Sequence, residues 1–254
     1  MFIKKRLFYP LSTIVFLISA WQGIFALKVW DPYIFPSPLD VLEAFRQLVS
    51  NNILLTYIVA SLFRVTVGFY VASVLGISIG ILLGRWKTGG DLFNGLIQFL
   101  RPISPLAWIP FALLWFGIGD GSAIFLIFIS SFFPLLVSTV IAVKNIPELY
   151  YQAAANFSFN RWETLKWIIL PAILPEIVTA LRISLGIAWL VVVAAEMIAV
   201  NSGLGYLIID SRNALRMDYV VVAMISIGVI GLIIDKAISQ LQKPGFMRWK
   251  FEKK

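Results

Sequence analysis

Between Ile124 and Val143 the chain runs for twenty residues, "IFLIFISSFFPLLVSTVIAV", without one charged side chain. At about 1.5 Å of rise per residue, a helix of roughly 20 apolar residues matches the hydrocarbon thickness of a bilayer, about 30 Å. Several other windows of the chain have the same character, and that fixes the solvent as lipid. The composition agrees: 60% of residues are hydrophobic and 13% charged, against about a quarter charged in soluble domains. Nearly all of the chain is needed for such helices, so residues 1–254 read as a single all-α transmembrane domain with no soluble second domain.

Six spans are predicted, over residues 8–28, 56–84, 103–118, 122–143, 174–199 and 218–241. With the N-terminus inside, the inward segments hold Lys4, Lys5, Arg6, Arg85, Lys87, Arg101, Lys144, Arg161, Lys166, Lys243, Arg248, Lys250, Lys253 and Lys254. The outward segments hold only Lys28, Arg46, Arg212 and Arg216. Basic residues concentrate on the cytoplasmic side of membrane proteins, so both termini are expected in the cytoplasm. The net charge of +8 is then mostly topology, and a nucleic-acid partner is not implied. The basic start and apolar run of "MFIKKRLFYPLSTIVFLISAWQG" resemble a signal peptide, but Ile18 and Ala20 fit a small-x-small cleavage site poorly; a retained helix is expected. From Pro32 to Asn52, turn residues precede the amphipathic "LDVLEAFRQLV", which reads as a short helix on the outer surface.

The chain has no cysteine and no histidine, which removes thiol and imidazole chemistry and most transition-metal sites together. It also lacks a G-x-x-x-x-G-K-[ST] phosphate loop. No catalytic residue, metal or bound cofactor is expected. An integral-membrane enzyme would need clustered carboxylates or histidine, and the thirteen acidic residues are scattered.

The second span carries Gly68, Ala72, Gly76, Gly80 and Gly84, small residues at every fourth position and therefore on one helix face. Small-xxx-small faces let membrane helices approach closely, so this face packs against a neighbour, in this chain or in a second copy. In the third span, Pro102, Pro105 and Pro110 predict a broken start with carbonyls freed near residue 106, since proline lacks an amide donor. Broken helices often line transport sites; prolines also simply shape packing.

Charges inside spans cost at least about 2.5–3.5 kcal/mol each on insertion scales. The fifth span contains Glu176, Arg182 and Glu196, and one of its faces reads Thr179, Arg182, Gly186, Trp189, Val193, Glu196. That face is expected to meet protein or water. By depth, Arg64 of the second span and Glu196 are expected to pair, as a gate or pathway lining or as a structural ion pair. Arg182 has no obvious partner by depth and is a candidate substrate-facing cation, with snorkelling to headgroups as the alternative. Beyond the fifth span, Gly203 and Gly205 are candidate hinges of an outer gate.

The stretch "QAAANFSFNRWETLKWIILP", Gln152–Pro171, interrupts the apolar pattern. Asn145, Pro147 and Glu148 signal a helix start, and the helix is expected to stop between Asn156 and Ser158. Asn160 and Glu163 then have capping-box spacing, and a second amphipathic helix ending at Leu170–Pro171 is predicted. Ala153, Ala154 and Ala155 suit close approach to another protein's groove better than they suit solvent.

This segment resembles the E-A-A loop of the permease subunits of ATP-binding-cassette importers: E-A-A, three residues, G, nine residues, I-x-L-P. Gln152-Ala153-Ala154, Ser158, Ile168 and Leu170-Pro171 fall at those spacings. Gln152 stands for the acidic residue, which weakens any charge contact to an ATPase; Ser158 stands for the glycine, whose positive-φ role passes to Asn156 on this reading. "LIQFLRPISPLAWIPFALLWFGIGD" and "LGIAWLVVVAAEMIAVNSGLGYLI" are similar to the branch importing nitrate, bicarbonate, taurine and aliphatic sulfonates. The resemblance spans Leu55–Asp235 and implies a six-helix type I importer permease with a cytoplasmic coupling helix, in a bacterial cytoplasmic (inner) membrane. It further implies two ATPase subunits holding ATP-Mg, a second permease copy and an extracytoplasmic substrate-binding protein. The coupling residues would be Tyr151, Gln152, Ala153, Ala154, Ala155, Ser158, Ile168, Leu170 and Pro171. An ATP-independent channel or secondary transporter is the competing class; aromatic residues such as Trp189 would also tolerate a pyrimidine-like ligand.

Overall fold

The computed structural model describes residues 2–31 and 33–241, and among them every regular element is helical. The order is α1 (Phe2–Ala26), α2 (Pro38–Ser50), α3 (Ile53–Arg85), α4 (Lys87–Leu100), a 3-10 turn (Pro105–Trp108), α5 (Ile109–Phe116), α6 (Asp120–Lys144), α7 (Glu148–Asn156), α8 (Arg161–Thr164), a π-helical turn (Leu165–Ile169), α9 (Leu170–Ala199), α10 (Leu204–Asn213) and α11 (Met217–Leu241). Four continuous helices are long and apolar enough to cross a membrane: Ile53–Arg85, Asp120–Lys144, Arg161–Ala199 and Met217–Gln240. A fifth crossing results if Leu92–Leu100 and Pro105–Phe116, bent by 90°, count together. The sixth expected span corresponds to α1, whose described apolar stretch is Ser12–Ala26. Lys243, Arg248, Lys250, Lys253 and Lys254, expected on the inward side, lie outside the described residues.

The chain divides into two compact units. The first comprises the chain up to Ala60 together with Ser202–Gly228. Its α2 begins with a full capping box: Ser37 Oγ accepts from the Asp40 amide at 3.1 Å, and the Asp40 carboxylate accepts from the Ser37 amide at 2.9 Å. Pro38 occupies the first turn, where a missing amide costs nothing. Val41, Ala44 and Leu48 are buried, and Leu39, Leu42 and Phe45 are exposed. The Trp21 indole donates to the Pro36 carbonyl at 3.0 Å. Tyr219 donates to Gln47 at 2.9 Å, and Arg216 stacks over the Tyr219 ring at 3.9 Å while pairing with Asp218. The outer segment expected to be a hinged gate is largely the helix α10, with Gly203 at φ +102° before its first turn and Gly205 buried inside it.

The second unit comprises Ser61–Asn201 and the chain from Val229. Here the partner of the glycine ladder is α6. A Cβ added at Gly68 would meet Ile127; at Gly76, Leu135; at Gly80, Thr139 at 2.6 Å; and at Gly84, Val143 at 2.6 Å. Ala72 is fully buried between the glycines. The contacts advance along α6 in steps of four residues, so the two backbones run close together for most of their length. α6 also packs against α9 in a cluster of Ala142, Val143, Ile146, Ile169, Ile173 and Ile177, which Ile77 and Ile81 of α3 join.

The third span starts broken, as its prolines predict, and two other expectations need correction. Pro102, Pro105 and Pro110 interrupt amide bonding, leaving a 3-10 turn and the eight-residue α5. Residues 85–101, read as a connection, form the amphipathic α4. The helix begun at Asn160 also does not end at Leu170–Pro171; it continues to Ala199 as one 39-residue helix. The π turn immediately before Pro171 explains the continuity. A proline ring clashes with the carbonyl four residues back, and widening the turn, with the Leu170 amide bonded to the Leu165 carbonyl, carries the chain past it.

Candidate functional site

Two sites emerge in the second unit. The first is the connection between α6 and α9. Its α7 ends in a Schellman arrangement: the Ser158 amide donates to the Ala155 carbonyl at 2.9 Å, and the Phe159 amide donates to the Ala154 carbonyl at 2.9 Å. The residue at positive φ is Ser158 itself, at +54°, not Asn156 as the sequence led us to expect. An L-residue there costs roughly 1–2 kcal/mol. The terminating bonds demand the left-handed residue two positions after the last helical one, and Asn156 is still helical. Next, the Glu163 amide donates to Asn160 Oδ1 at 2.9 Å and the Asn160 amide to Glu163 Oε2 at 2.7 Å, the expected capping box.

The alanines do not all face outward. Ala154 is 3% exposed and Ala153 half-buried, whereas Gln152, Ala155 and Ser158 are exposed. Tyr151 packs on the α6–α9 core, and burial pushes its phenol above the usual range, opposed by nearby Arg85 and reinforced by Glu148. Ala154 and Tyr151 therefore seat α7 on its own chain. The outward side carries Leu149, Tyr150, Phe157 and Trp162, the last 78% exposed. Ile168 is half-buried, and Leu170 and Pro171 are exposed along the start of α9. Apolar side chains at this density on an exposed helical connection mark an interaction surface. The aromatic residues were legible in the sequence; which of them faced out was not.

The second site is a buried charge cluster. Arg64 Nη1 lies 2.6 Å from Glu196 Oε1, and Arg64 Nε 2.7 Å from Asp120 Oδ1. Ser61 donates to Glu196 Oε2 at 2.9 Å. Arg64 is 2% exposed and Glu196 fully buried, while the Asp120 side chain is 56% exposed. The depth argument paired Arg64 with Glu196 but missed Asp120. The available signal was the "GIGD" turn, Gly117–Asp120: Gly117 and Gly119 both take positive φ, and Asp120 sits in the first turn of α6, where a carboxylate is favoured by the helix dipole.

Arg182 is paired, contrary to the reading that left it without a partner. Its Nε and Nη2 donate to the two carboxylate oxygens of Asp235 at 2.8 and 2.9 Å, a bidentate fork. Asp235 escaped notice because residue spacing along one span cannot reveal which face of another span it meets. Along the same face of α9, Gly186 lies open and Trp189 is 5% exposed against Gly231. Trp189 thus fills a helix contact and offers no open surface in this chain. Sequence reasoning also missed Trp108, whose indole N–H is buried without a hydrogen-bond acceptor.

Apolar spans whose Arg64, Glu196 and Arg182 are paired within the chain, and an outward apolar surface on a docked connecting helix, define an integral membrane subunit. The bundle has the fold of the transmembrane chain in an inward-facing structure of the MetNI methionine ABC transporter, with a TM-score of 0.57 at 19% identity over 74% of this chain and 95% of the other; at that identity the likeness is one of fold. The chain belongs to the family described as the binding-protein-dependent transport system inner membrane component, whose model matches residues 72–243. It is 38% identical to a Methanocaldococcus jannaschii protein assigned as an ABC transporter permease, over 97% of this chain and 93% of that one. It is 35% identical to the nitrate import permease protein NrtB of Synechocystis, covering 94% and 89%. The taurine transport system permease protein TauC of Escherichia coli matches at 31%, covering 95% and 90%.

Proposed function

We propose that this permease is the transmembrane subunit of an ATP-driven importer of a small anion, of the class of nitrate, bicarbonate, taurine or an alkanesulfonate. Two ATPase subunits carry ATP-Mg and grip the α7 connection; a second permease copy completes the pathway, and an extracytoplasmic binding protein delivers the anion. Both termini and α7 lie on the cytoplasmic side. Closure of the ATPases draws the α7 helices together, and the movement passes through Tyr151 and Ala154 into α6 and α9. Arg64, Glu196 and Arg182, with Gly203 and Gly205, belong to the pathway or its gates, while Trp189, packed on Gly231, stands behind them. The anion class rests on the names of the relatives; a channel or secondary transporter working without ATP would have no use for α7.

The observation that carries this reading is the division of α7 into a face seated on its own bundle and a face of exposed Gln152, Ala155 and Phe157. The test is co-purification of an ATPase subunit with the tagged permease in mild detergent. Gln152→Arg with Ala155→Arg alters only exposed positions and is expected to release the ATPase while leaving the permease folded. Retention of the ATPase by this variant removes the coupling role from α7. Failure of the unaltered chain to retain any ATPase, under conditions that preserve other membrane complexes, returns the reading to a channel or secondary transporter.

A further inference from the structure

One side of the second unit is polar at a depth where lipid would demand apolar side chains. A groove of about 360 Å³ between α6 and α9 has Ser138 and Asn145 on one wall and Glu176 and Thr179 on the other. Thr179 is exposed, and Arg182 and Gly186 follow it at three and then four residues, on the same face of α9. Gly186 is exposed too, with open space where a side chain would stand. Asp235 of α11 reaches this face to hold Arg182 in its bidentate fork, and the contact buries neither side chain: 37% of Arg182 and 57% of Asp235 stay exposed.

Depth rules out lipid as the neighbour of these charges. Arg64 and Arg85 of α3 stand about 31 Å apart along the helix at 1.5 Å per residue, close to the roughly 30 Å thickness of the hydrocarbon layer. Glu196, bonded to Arg64, shares its level, and Arg182 follows about 21 Å along α9 towards the α7 end. The Arg182–Asp235 pair therefore lies roughly 10 Å short of the level of Arg85, inside the hydrocarbon depth. Ionised side chains at such depth face protein or a water-filled cavity, because lipid tails cannot solvate them. The concave groove and the open space at Gly186 favour water over the flush packing of a second copy.

We propose that this side of α6, α9 and α11 is a wall of a water-filled translocation path that opens at the α7 end. Asp235 is a positioning residue of that path, since bidentate bonding fixes the plane of the Arg182 guanidinium and holds it along the wall. The assignment rests on the reading of the chain as a transport subunit and adds to it the face that meets water and the residue that sets its charge.

The chain contains no cysteine, so single cysteines report on this face directly. The test is modification of the full chain carrying Thr179→Cys, Gly186→Cys or Ile233→Cys, in native membrane fragments open on both faces. The probes are two small methanethiosulfonates, one anionic and one cationic. Ile233 is exposed and precedes Asp235 by two residues, which puts it on the opposite side of α11 at nearly the same depth. Only the thiolate reacts, and apolar surroundings suppress it, so Thr179→Cys and Gly186→Cys should react at least about tenfold faster than Ile233→Cys. Adding Asp235→Asn to Gly186→Cys removes one negative charge from the wall. Across roughly 8 Å of water this should favour the anionic over the cationic reagent by about fivefold, and Asp235→Glu should keep the original ratio. A purely structural role for Asp235 would move both rates together. Reaction of Thr179→Cys and Gly186→Cys no faster than Ile233→Cys would overturn the wall and place this side against lipid or a second copy. An unchanged reagent ratio in Asp235→Asn would overturn the role of Asp235. Neither result depends on retention of an ATPase, so failure here leaves the coupling role of α7 standing, and failure of that role leaves the wall standing.

Discussion

Replacing Arg64 by methionine tests the energetics of the buried charge cluster most directly. The substitution keeps the volume and apolar stem but deletes a guanidinium bonded to Glu196 at 2.6 Å and to Asp120 at 2.7 Å. Glu196, with no exposed surface, keeps the Ser61 hydroxyl bond but loses the Arg64 guanidinium. Stranding a buried charge in this way costs about 3–5 kcal/mol. Glu196→Gln should cost less, about 1.5–3 kcal/mol, the worth of a charge-assisted hydrogen bond, because Arg64 keeps Asp120. Removing both charges, in Arg64→Met with Glu196→Gln, should recover most of the loss, since no buried charge is then left without its counterion. The assay is reversible unfolding in mixed micelles, followed by far-ultraviolet circular dichroism, for the two single variants and the double. The expected interaction energy exceeds about 2 kcal/mol, well above the few tenths separating independent sites. A single-variant cost below about 1 kcal/mol, or simple additivity, would refute the claim that these charges neutralise one another in a water-excluded setting.

The contact between α3 and α6 predicts that Gly80→Ile is severely destabilising, because a Cβ there already stands 2.6 Å from Thr139 and 3.0 Å from the Leu136 carbonyl; Gly186→Ala, with open space around it, should leave the thermal midpoint in detergent unchanged. Ser158→Gly should stabilise the α7 turn by about 1 kcal/mol, since glycine takes a positive φ without steric cost, and Ser158→Val should weaken it; slower proteolysis of the connection in the first variant and faster in the second is the readout. Burial raises the folded-state pKa of Tyr151 above its ordinary value of 10.0, so above that pH the unfolded chain holds fewer protons than the folded one. Stability should therefore fall as pH climbs from 10 through the raised value, and Tyr151→Phe should remove that part of the dependence in an alkaline unfolding series.

The coupling connection and the charge cluster differ in how far one dimension reaches. Local rules place the Asn160–Glu163 capping box and the start of α2 at Ser37, because the partners are three residues apart. Uncharged runs of twenty residues fix helices and their solvent, and a four-residue step of small side chains announces that α3 has a close neighbour. All of this follows from periodicity and from the cost of an unpaired amide or charge in lipid. The identity of that neighbour, the pairing of Arg182 with Asp235, and the presence of Asp120 beside Arg64 each join residues more than fifty positions apart. No local rule selects among such partners; helix packing does.

Tertiary structure also reversed the sense of some local signals. Leu170–Pro171 looks like a helix end, yet a π turn and packing of Ile169 and Ile173 against α6 carry the helix through. The alanines of α7 look uniformly suited to a partner, yet one of them is spent on the chain's own core. Sequence by itself determined that this is a helical membrane protein with a polar connection of distinctive spacing, because hydropathy and backbone satisfaction act residue by residue. Only the tertiary structure decided which charges neutralise each other, which face of α7 is left outward, and on which side of α9 the Arg182–Asp235 pair stands exposed. Those outcomes depend on distances across helices, and a distance across helices exists only once they are packed.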